Sequence, residues 1–546
     1  MTSLTNGWDT VYAIRLDDVN KAIQKRQADW PTDAKGNSSS STGTYTLTAN
    51  LGNWRVGSAA ASGGGILDMK VDIPSGTLEK VPTTGPTVTL DLTGLSVSVQ
   101  VGLNWVAAAG DTTRLLLPSD LIVSAITGQL DPTSASVVKQ MLRTALVDAA
   151  NQGKFRAALV AINIGAAEAS GTLTWLLPNK HVGFAVSIPT LDSPTLNNSF
   201  LAVLAMTENR VPTNLTQEVS AFAIPGTDRA GFVIDKRLFF EKMVKPGIAA
   251  LFADATVADF ELYNDNKGIR NTRDLSFVKL HIPAASISPA RDVTPTIAAN
   301  NFSLEIDGSQ LVLRMVDFAF EWQAGVNIKI AHTSRSSMSL SADKRILQII
   351  EETTTSDSTA ELETWVTVVS VLGGVVAAIG AAVIGTAIGA AVEGAAEGSA
   401  EVASDVATNT GRQIAMRTIT TTASESASES ETSAAALALQ DVQTAGKGAQ
   451  AEASPMLGFF SRNSVKLKAG LLACIPGVAI GVPLALTEKI LEWQATGQTE
   501  KIPTLDTLAT AAVKPVTWPD QAAFKLTSVT LNDALQLGGD PFPPTI

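Results

Sequence analysis

Three residue types that usually build chemical sites are scarce here. The 546 residues hold one cysteine (Cys474), three tyrosines (Tyr12, Tyr45, Tyr263) and three histidines (His181, His281, His332). A single cysteine excludes a disulfide framework and a cysteine-based metal cluster. Cys474 lies in an apolar run, where a thiol is an inert packing group. The histidines are far apart in sequence and offer no metal-ligand spacing. The motifs GxSxG, HExxH, GxxxxGK[ST] and GxGxxG are all missing, so no catalytic residue, cofactor or metal is expected. Gly63-Gly64-Gly65 precedes a strand pattern and reads as a turn. In Asp265-Asn266-Lys267-Gly268 the position five before the glycine is Tyr263, so that motif reads as a turn too, not a calcium loop. The opening residues carry no charged segment followed by an apolar one, so no secretory leader is expected. The protein is expected in the cytoplasm as synthesised, with any export by a non-classical route.

Positive charge is also short. Charged residues make up 17%, and the net charge is −12. Between Glu351 and Phe460 stand 14 acidic and 3 basic residues, so nearly all the excess sits in that stretch. A chain without a basic face is a poor ligand for nucleic acid. Contact with an anionic membrane would have to be local and peripheral.

What is present is hydrophobic periodicity. Alternation at Tyr45/Leu47/Ala49, Leu67/Met69/Val71/Ile73, Val88/Leu90/Leu92 and Leu95/Val97/Val99/Val101/Leu103 predicts half-buried antiparallel strands. Val11 to Leu16 reads as a strand. Asp17 and Asp18 then read as a cap for a helix with Val19, Ala22 and Ile23 on one face, and Arg26 intrudes on that apolar side. A second helix is expected from about Ser136 to Gly153, with Val138, Met141, Leu142, Ala145, Leu146 and Ala149 in one stripe. Further strands are read at Val182/Phe184/Val186, Phe200 to Met206, Phe222 to Ile224, Phe232 to Ile234, Phe302/Leu304/Ile306, Leu311/Leu313 and Val326/Ile328/Ile330. Asp235 reads as the cap of a helix with Leu238, Phe239, Met243 and Val244, which Pro246 ends or kinks. Strands return at Phe524/Leu526/Val529 and Leu531/Leu535, before a turn at Gly538-Gly539.

Residues 351–455 change character: acidic and Thr-rich, then Ala-, Ser- and Glu-rich. The uncharged run Val366 to Val392 reads as a buried helical hairpin, with membrane insertion as the alternative; only 12 of its 27 residues are Val, Ile or Leu. Ala469 to Thr487, with Pro476 and Pro483, is a poor span, and Lys466 and Lys468 before it could meet head groups or solvent. The order strand, Asp-containing turn, helix occurs at Val11 to Ile23 and again at Phe232 to Met243. This suggests two units, at 1–175 and 176–546, the second with a helical insertion at about 360–455.

Asn6-Gly7-Trp8-Asp9-Thr10-Val11-Tyr12-Ala13 with Val19-Asn20 resembles the N-terminus of the forty-seven-kilodalton and OrfX-type accessory proteins of clostridial neurotoxin gene clusters. Trp175-Leu176-Leu177-Pro178, Leu201 to Thr207, Phe232 to Pro246 and Ala523 to Gly539 fit the same family, over most of the chain. The resemblance implies an α+β fold of two tubular lipid-binding (TULIP) units, each a long helix wrapped by a strongly curved antiparallel β-sheet. It implies a non-enzymatic lipid or phosphoinositide binder working beside a toxin, with neighbouring toxin-cluster proteins as partners. The alternatives are a scaffold or chaperone without lipid cargo, and a membrane-inserting pore former. The candidate cavity lining is Val19, Ile23, Val138, Met141, Leu142, Leu146, Leu238, Phe239 and Met243, residues that could equally be plain core.

Overall fold

The computed structural model describes residues 4–362 and 505–542. Within these spans residues 58–61, 64, 109–111, 152–154, 156–157, 165–173, 188–193, 214, 250–251, 278–279, 283–290, 324–325, 341–346, 520 and 522–523 are excepted. Cys474 and the Val366–Val392 and Ala469–Thr487 runs lie outside the described residues. Among the described residues no helix is long and apolar enough to cross a membrane.

A six-stranded antiparallel sheet ties the chain together. Its spatial order is Pro178–Ser187, Phe200–Thr207, Thr10–Arg15, Ala230–Asp235, Ala534–Asp540, Lys525–Leu531. The first strand thus lies between two from the middle of the chain, with Tyr12 opposite Val203 on one side and Phe232 on the other. Both faces are covered. Tyr12, Ile14, Leu201, Val203, Phe232 and Ile234 join the large core. Val11, Ala13, Phe200, Ala202, Leu204 and Val233 face a smaller one, roofed by Leu4, Trp8, Val219 and Ile224. Two covered faces explain why Phe200 to Met206 is continuously apolar instead of alternating. The expected strand at Phe222 to Ile224 is part of this roof and is a turn, with Phe222 70% exposed.

Each expected strand–helix unit starts in this sheet. Thr10–Arg15 leads into helix α1 (Leu16–Lys25), and Ala230–Asp235 leads into a helical rod at the opposite end. Asp17 and Asp18 do not cap α1. Arg15 holds the N-cap position without a side-chain cap, and the aspartates sit in the first turn, where they face the positive end of the helix dipole. Asp18 is buried, held from two sides by the Arg229 guanidinium, which also bonds Asp540 at 3.0 Å. Asp235 does cap its helix, accepting from the Arg237 backbone N–H at 3.0 Å. Pro246 does not end that rod. Lys236–Leu238 is α-helical, Phe239–Val244 winds as a π-helix, and Lys245–Ala249 returns to α. The wider turn upstream accommodates a residue that cannot donate its own N–H.

Around this hub lie curled half-barrel sheets. One runs Val516–Thr517, Val160–Asn163, Thr113–Thr127, Leu95–Ala107, Ile66–Ile73, Arg55–Val56. Its two longest strands, of 15 and 13 residues, carry bulges between Ser98 and Val99 and between Val101 and Leu103, which let long strands bend. Beside it stand Asp33–Ser40, Gly43–Asn50, Ser75–Pro82 and Val88–Asp91. Helix α2 (Pro132–Asn151) packs on Thr113–Thr127 and on Asp33–Ser40. An eight-stranded sheet forms the other half: Phe260–Tyr263, Gly268–Asn271, Phe302–Asp307, Gln310–Gln323, Val326–Leu340 and Leu347–Leu362, with Thr296–Ile297 pairing Gln310–Gln323 at Ala319 and Leu275–Ser276 pairing Thr296–Ile297. The acidic, Thr-rich start of the composition shift is therefore strand, consistent with the β preference of Thr. Asn264, Asp265 and Asn266 turn the first hairpin with φ of 52°, 55° and 61°, a left-handed run that Asn and Asp tolerate best. Gly538 and Gly539 are not a turn but lie inside a strand; Asn532 and Asp533 turn that hairpin.

Candidate functional site

Helix α1 covers a crevice whose walls come from distant parts of the chain. Ile14 of the central sheet, Val19, Ala22 and Ile23 of α1, Arg26 and Trp30 just beyond it, Ala158 and Leu159, and Trp518 and Pro519 line it. Its volume is about 10 Å³, room for roughly one water. Arg26, Ala158 and Pro519 are only half-buried and mark the mouth, while the other lining residues are buried.

Local chemistry fixes this geometry. The Arg26 backbone N–H caps α1 on the Ile23 carbonyl at 3.1 Å, and the side chain bonds Asp29 through Nε at 2.7 Å and Nη2 at 2.6 Å. Gln27 then clamps the chain. Its Nε2 donates to the carbonyls of Ile23 at 3.0 Å and Trp54 at 2.7 Å, and its Oε1 accepts from the Trp54 N–H at 2.6 Å. Trp30 stacks on Trp54 with centroids 5.4 Å apart and planes at 26°, and Phe155 meets both edge-on. Trp54 Nε1 donates to the Pro31 carbonyl at 2.8 Å, whereas the buried Trp30 Nε1 has no acceptor among the described residues. Trp518 meets Tyr12 edge-on at 5.8 Å. Burial drives the Tyr12 hydroxyl well above its ordinary pKa, so it stays neutral, and it accepts from Gln521 Nε2 at 3.2 Å.

Of the nine residues named from sequence, Val19 and Ile23 line this crevice. Val138, Met141, Leu142 and Leu146 on α2, and Leu238, Phe239 and Met243 on the rod, are buried at 0–4% exposure in the same continuous core and are not in its lining. In the second half of the molecule phenylalanines fill the interior. Phe252 contacts Phe260, Phe277 and Phe302 with centroids 5.0–5.8 Å apart, and Phe318 extends the cluster from Phe277. Sequence reasoning missed Trp30, Leu159 and Trp518. A signal existed for two: Trp30-Pro31 and Trp518-Pro519 are Trp-Pro pairs, and a residue before proline is held extended. Among the described residues no group of His, Cys, Asp or Glu could hold a metal.

A second buried cluster serves the fold. Asp9, fully buried, accepts from the Thr207 N–H at 2.9 Å, the Thr207 hydroxyl at 3.2 Å, Arg237 Nη2 at 3.2 Å, and Arg210. Asp235 beside it accepts from the Thr5 hydroxyl at 3.0 Å, and burial raises its pKa.

Long antiparallel strands in curled half-barrel sheets, with few helices among the described residues, define the class of protein. The family described as OrfX-like, "Protein OrfX2/OrfX3/P47", matches residues 5–453 and 458–539. The chain belongs to that family. P47 from Clostridium botulinum A2 is similar in structure over 98% of both chains, with a TM-score of 0.56 at 15% identity. P47 of Clostridium botulinum E1 is similar over 67% of this chain and 85% of its own, with a TM-score of 0.51 at 18% identity. At such identities the likeness concerns the fold. A lipopolysaccharide binding protein aligns with 65% of this chain and 85% of its own at 10% identity, but its TM-score of 0.22 is too low to bear on fold or cargo. No curated protein matches the chain.

Proposed function

We propose that this chain is a non-enzymatic accessory protein of a bacterial toxin system that binds lipid, a phospholipid or phosphoinositide, by one acyl chain. The observation that carries this reading is the small apolar crevice beneath α1, with the Arg26 cation at its half-buried rim. Each buried CH2 of an acyl chain contributes about 0.8 kcal/mol, so eight of them yield about 6 kcal/mol toward opening the crevice. Mass spectrometry of the intact chain with lipid extraction, and flotation with phosphoinositide liposomes, test it. A chain that is lipid-free and ignores such liposomes overturns it.

A second reading, a scaffold or assembly component without lipid cargo, is favoured by a different observation. Phe222 stands 70% exposed beside Ala223 and Ile224 of the roof over the central sheet. An exposed aromatic on a braced surface is a natural anchor for a protein partner. Co-purification with products of neighbouring genes, lost on Phe222→Asp, would support it.

A further inference from the structure

We propose that the crevice beneath α1 takes an anionic oxygen of a single-chain amphiphile, a carboxylate or phosphate, on Trp30 Nε1 and Arg26. This rests on the lipid reading above and names the chemistry of the head it selects. The first observation is the unmet donor. Trp30 is 2% exposed and its Nε1 has no acceptor among the described residues, whereas its stacking partner Trp54 has one. Buried donors are almost always satisfied, and an orphan costs about 1–3 kcal/mol. Trp30 and Trp518, whose Nε1 likewise has no acceptor among the described residues, both belong to the crevice wall, and Trp30 is the one on the same chain turn as Arg26, so an acceptor delivered there removes that cost.

The second observation is Arg26. Among the described residues its ion pair is with Asp29, and the two side chains are 37% and 33% exposed. A pair that exposed is worth about 0–1 kcal/mol and is readily exchanged for a ligand anion. Arg26 also stands at the C-terminus of α1, where a cation is favoured and a free anion is not. An incoming anion therefore needs the guanidinium at this position. Behind these two donors the wall is apolar: Ile14, Ile23 and Leu159 offer contact to an alkyl chain and no hydrogen bond from their side chains. An oxygen fits the space of one water, and the alkyl chain needs the crevice to widen between Ile23 and Leu159.

The test is calorimetric titration of the full chain with four probes: dodecanoate, dodecyl phosphate, dodecanol and inorganic phosphate. Dodecanoate and dodecyl phosphate should bind, and inorganic phosphate should not, since a free anion lacks the tail. Trp30→Phe keeps the stacking ring and removes the N–H; it should weaken both anionic amphiphiles about tenfold. Arg26→Gln should weaken them by a similar factor and leave dodecanol unchanged. Unfolding midpoints of both variants should stay near that of the parent, which separates lost binding from lost fold. Equal binding by parent and Trp30→Phe overturns the proposal and leaves a structural water as the occupant. Lipid that copurifies in equal amount with parent and both variants overturns it too, and leaves the lipid reading standing. Binding of inorganic phosphate as tight as that of dodecyl phosphate assigns the site to a free anion and overturns the amphiphile.

Discussion

Replacing Arg229 by Leu should be among the most damaging single changes outside the apolar core. Asp18 is 2% exposed in the first turn of α1, and the Arg229 guanidinium grips both of its oxygens while linking to Asp540 at 3.0 Å. Removing one partner of a buried pair leaves an uncompensated charge, at a cost of about 3–5 kcal/mol. Two features place this case at the lower end. Arg229 is itself 36% exposed, so water reaches the pair, and Lys21 Nζ lies 3.3 Å from Asp18 and supplies part of the lost countercharge. We expect about 3 kcal/mol at pH 7, read as a lowered urea midpoint of tryptophan fluorescence in the full chain. Adding Asp18→Asn to Arg229→Leu should restore most of the loss, because the buried charge is then gone. A loss under about 1 kcal/mol, or a double variant weaker than Arg229→Leu alone, refutes the reasoning.

Other expectations follow from the same geometry. Leu142→Ala, in the fully buried stripe of α2, should cost about 2–5 kcal/mol, measured by the same unfolding midpoint. Gly538→Ala puts a methyl group into Asp228 Oδ2 and the Ser528 hydroxyl at the edge of the central sheet, so soluble yield and melting temperature should both fall. Asp235→Asn keeps a good N-cap and removes a buried charge whose pKa burial raises. Because the folded protein holds that proton more tightly, the parent recovers stability as pH falls toward 3.8, so the variant's advantage, present at neutral pH, should vanish in acid. Arg273, with the Thr256 backbone and hydroxyl, holds the Asp259 carboxyl at about 2, so its contribution persists down to acid pH and is lost as pH falls through about 2; Arg273→Ala should move that loss to higher pH in an acid-unfolding titration.

How much of this was legible before the structure depended on which force decided each element. The strand at Leu95–Ala107 and the stripe of α2 were readable because one covered face imposes a strict period. Phe222 to Ile224 looked like a strand from its apolar residues, yet those residues roof a sheet from a turn, and periodicity over three residues cannot separate the two. Gly538-Gly539 looked like a turn because glycine usually marks one. Here it is close packing against Asp228 and Phe524 that excludes a side chain, a tertiary cause invisible locally. The crevice was half legible. Val19 and Ile23 lay on the expected face, and Arg26 stood out on that side. Leu159 and Trp518 join them only because Val516–Thr517 pairs with Ala161 and Ile162, a contact spanning some 350 residues.

The most direct measurement is photo-crosslinking of the full chain with an acyl lipid bearing a diazirine in its tail, followed by peptide mapping. Crosslinks should fall on Val19 to Trp30 and on the segments holding Leu159 and Trp518, and a twofold excess of dodecanoate should suppress them. Crosslinks confined to the roof around Phe222, or none above an unirradiated control, would contradict lipid binding beneath α1.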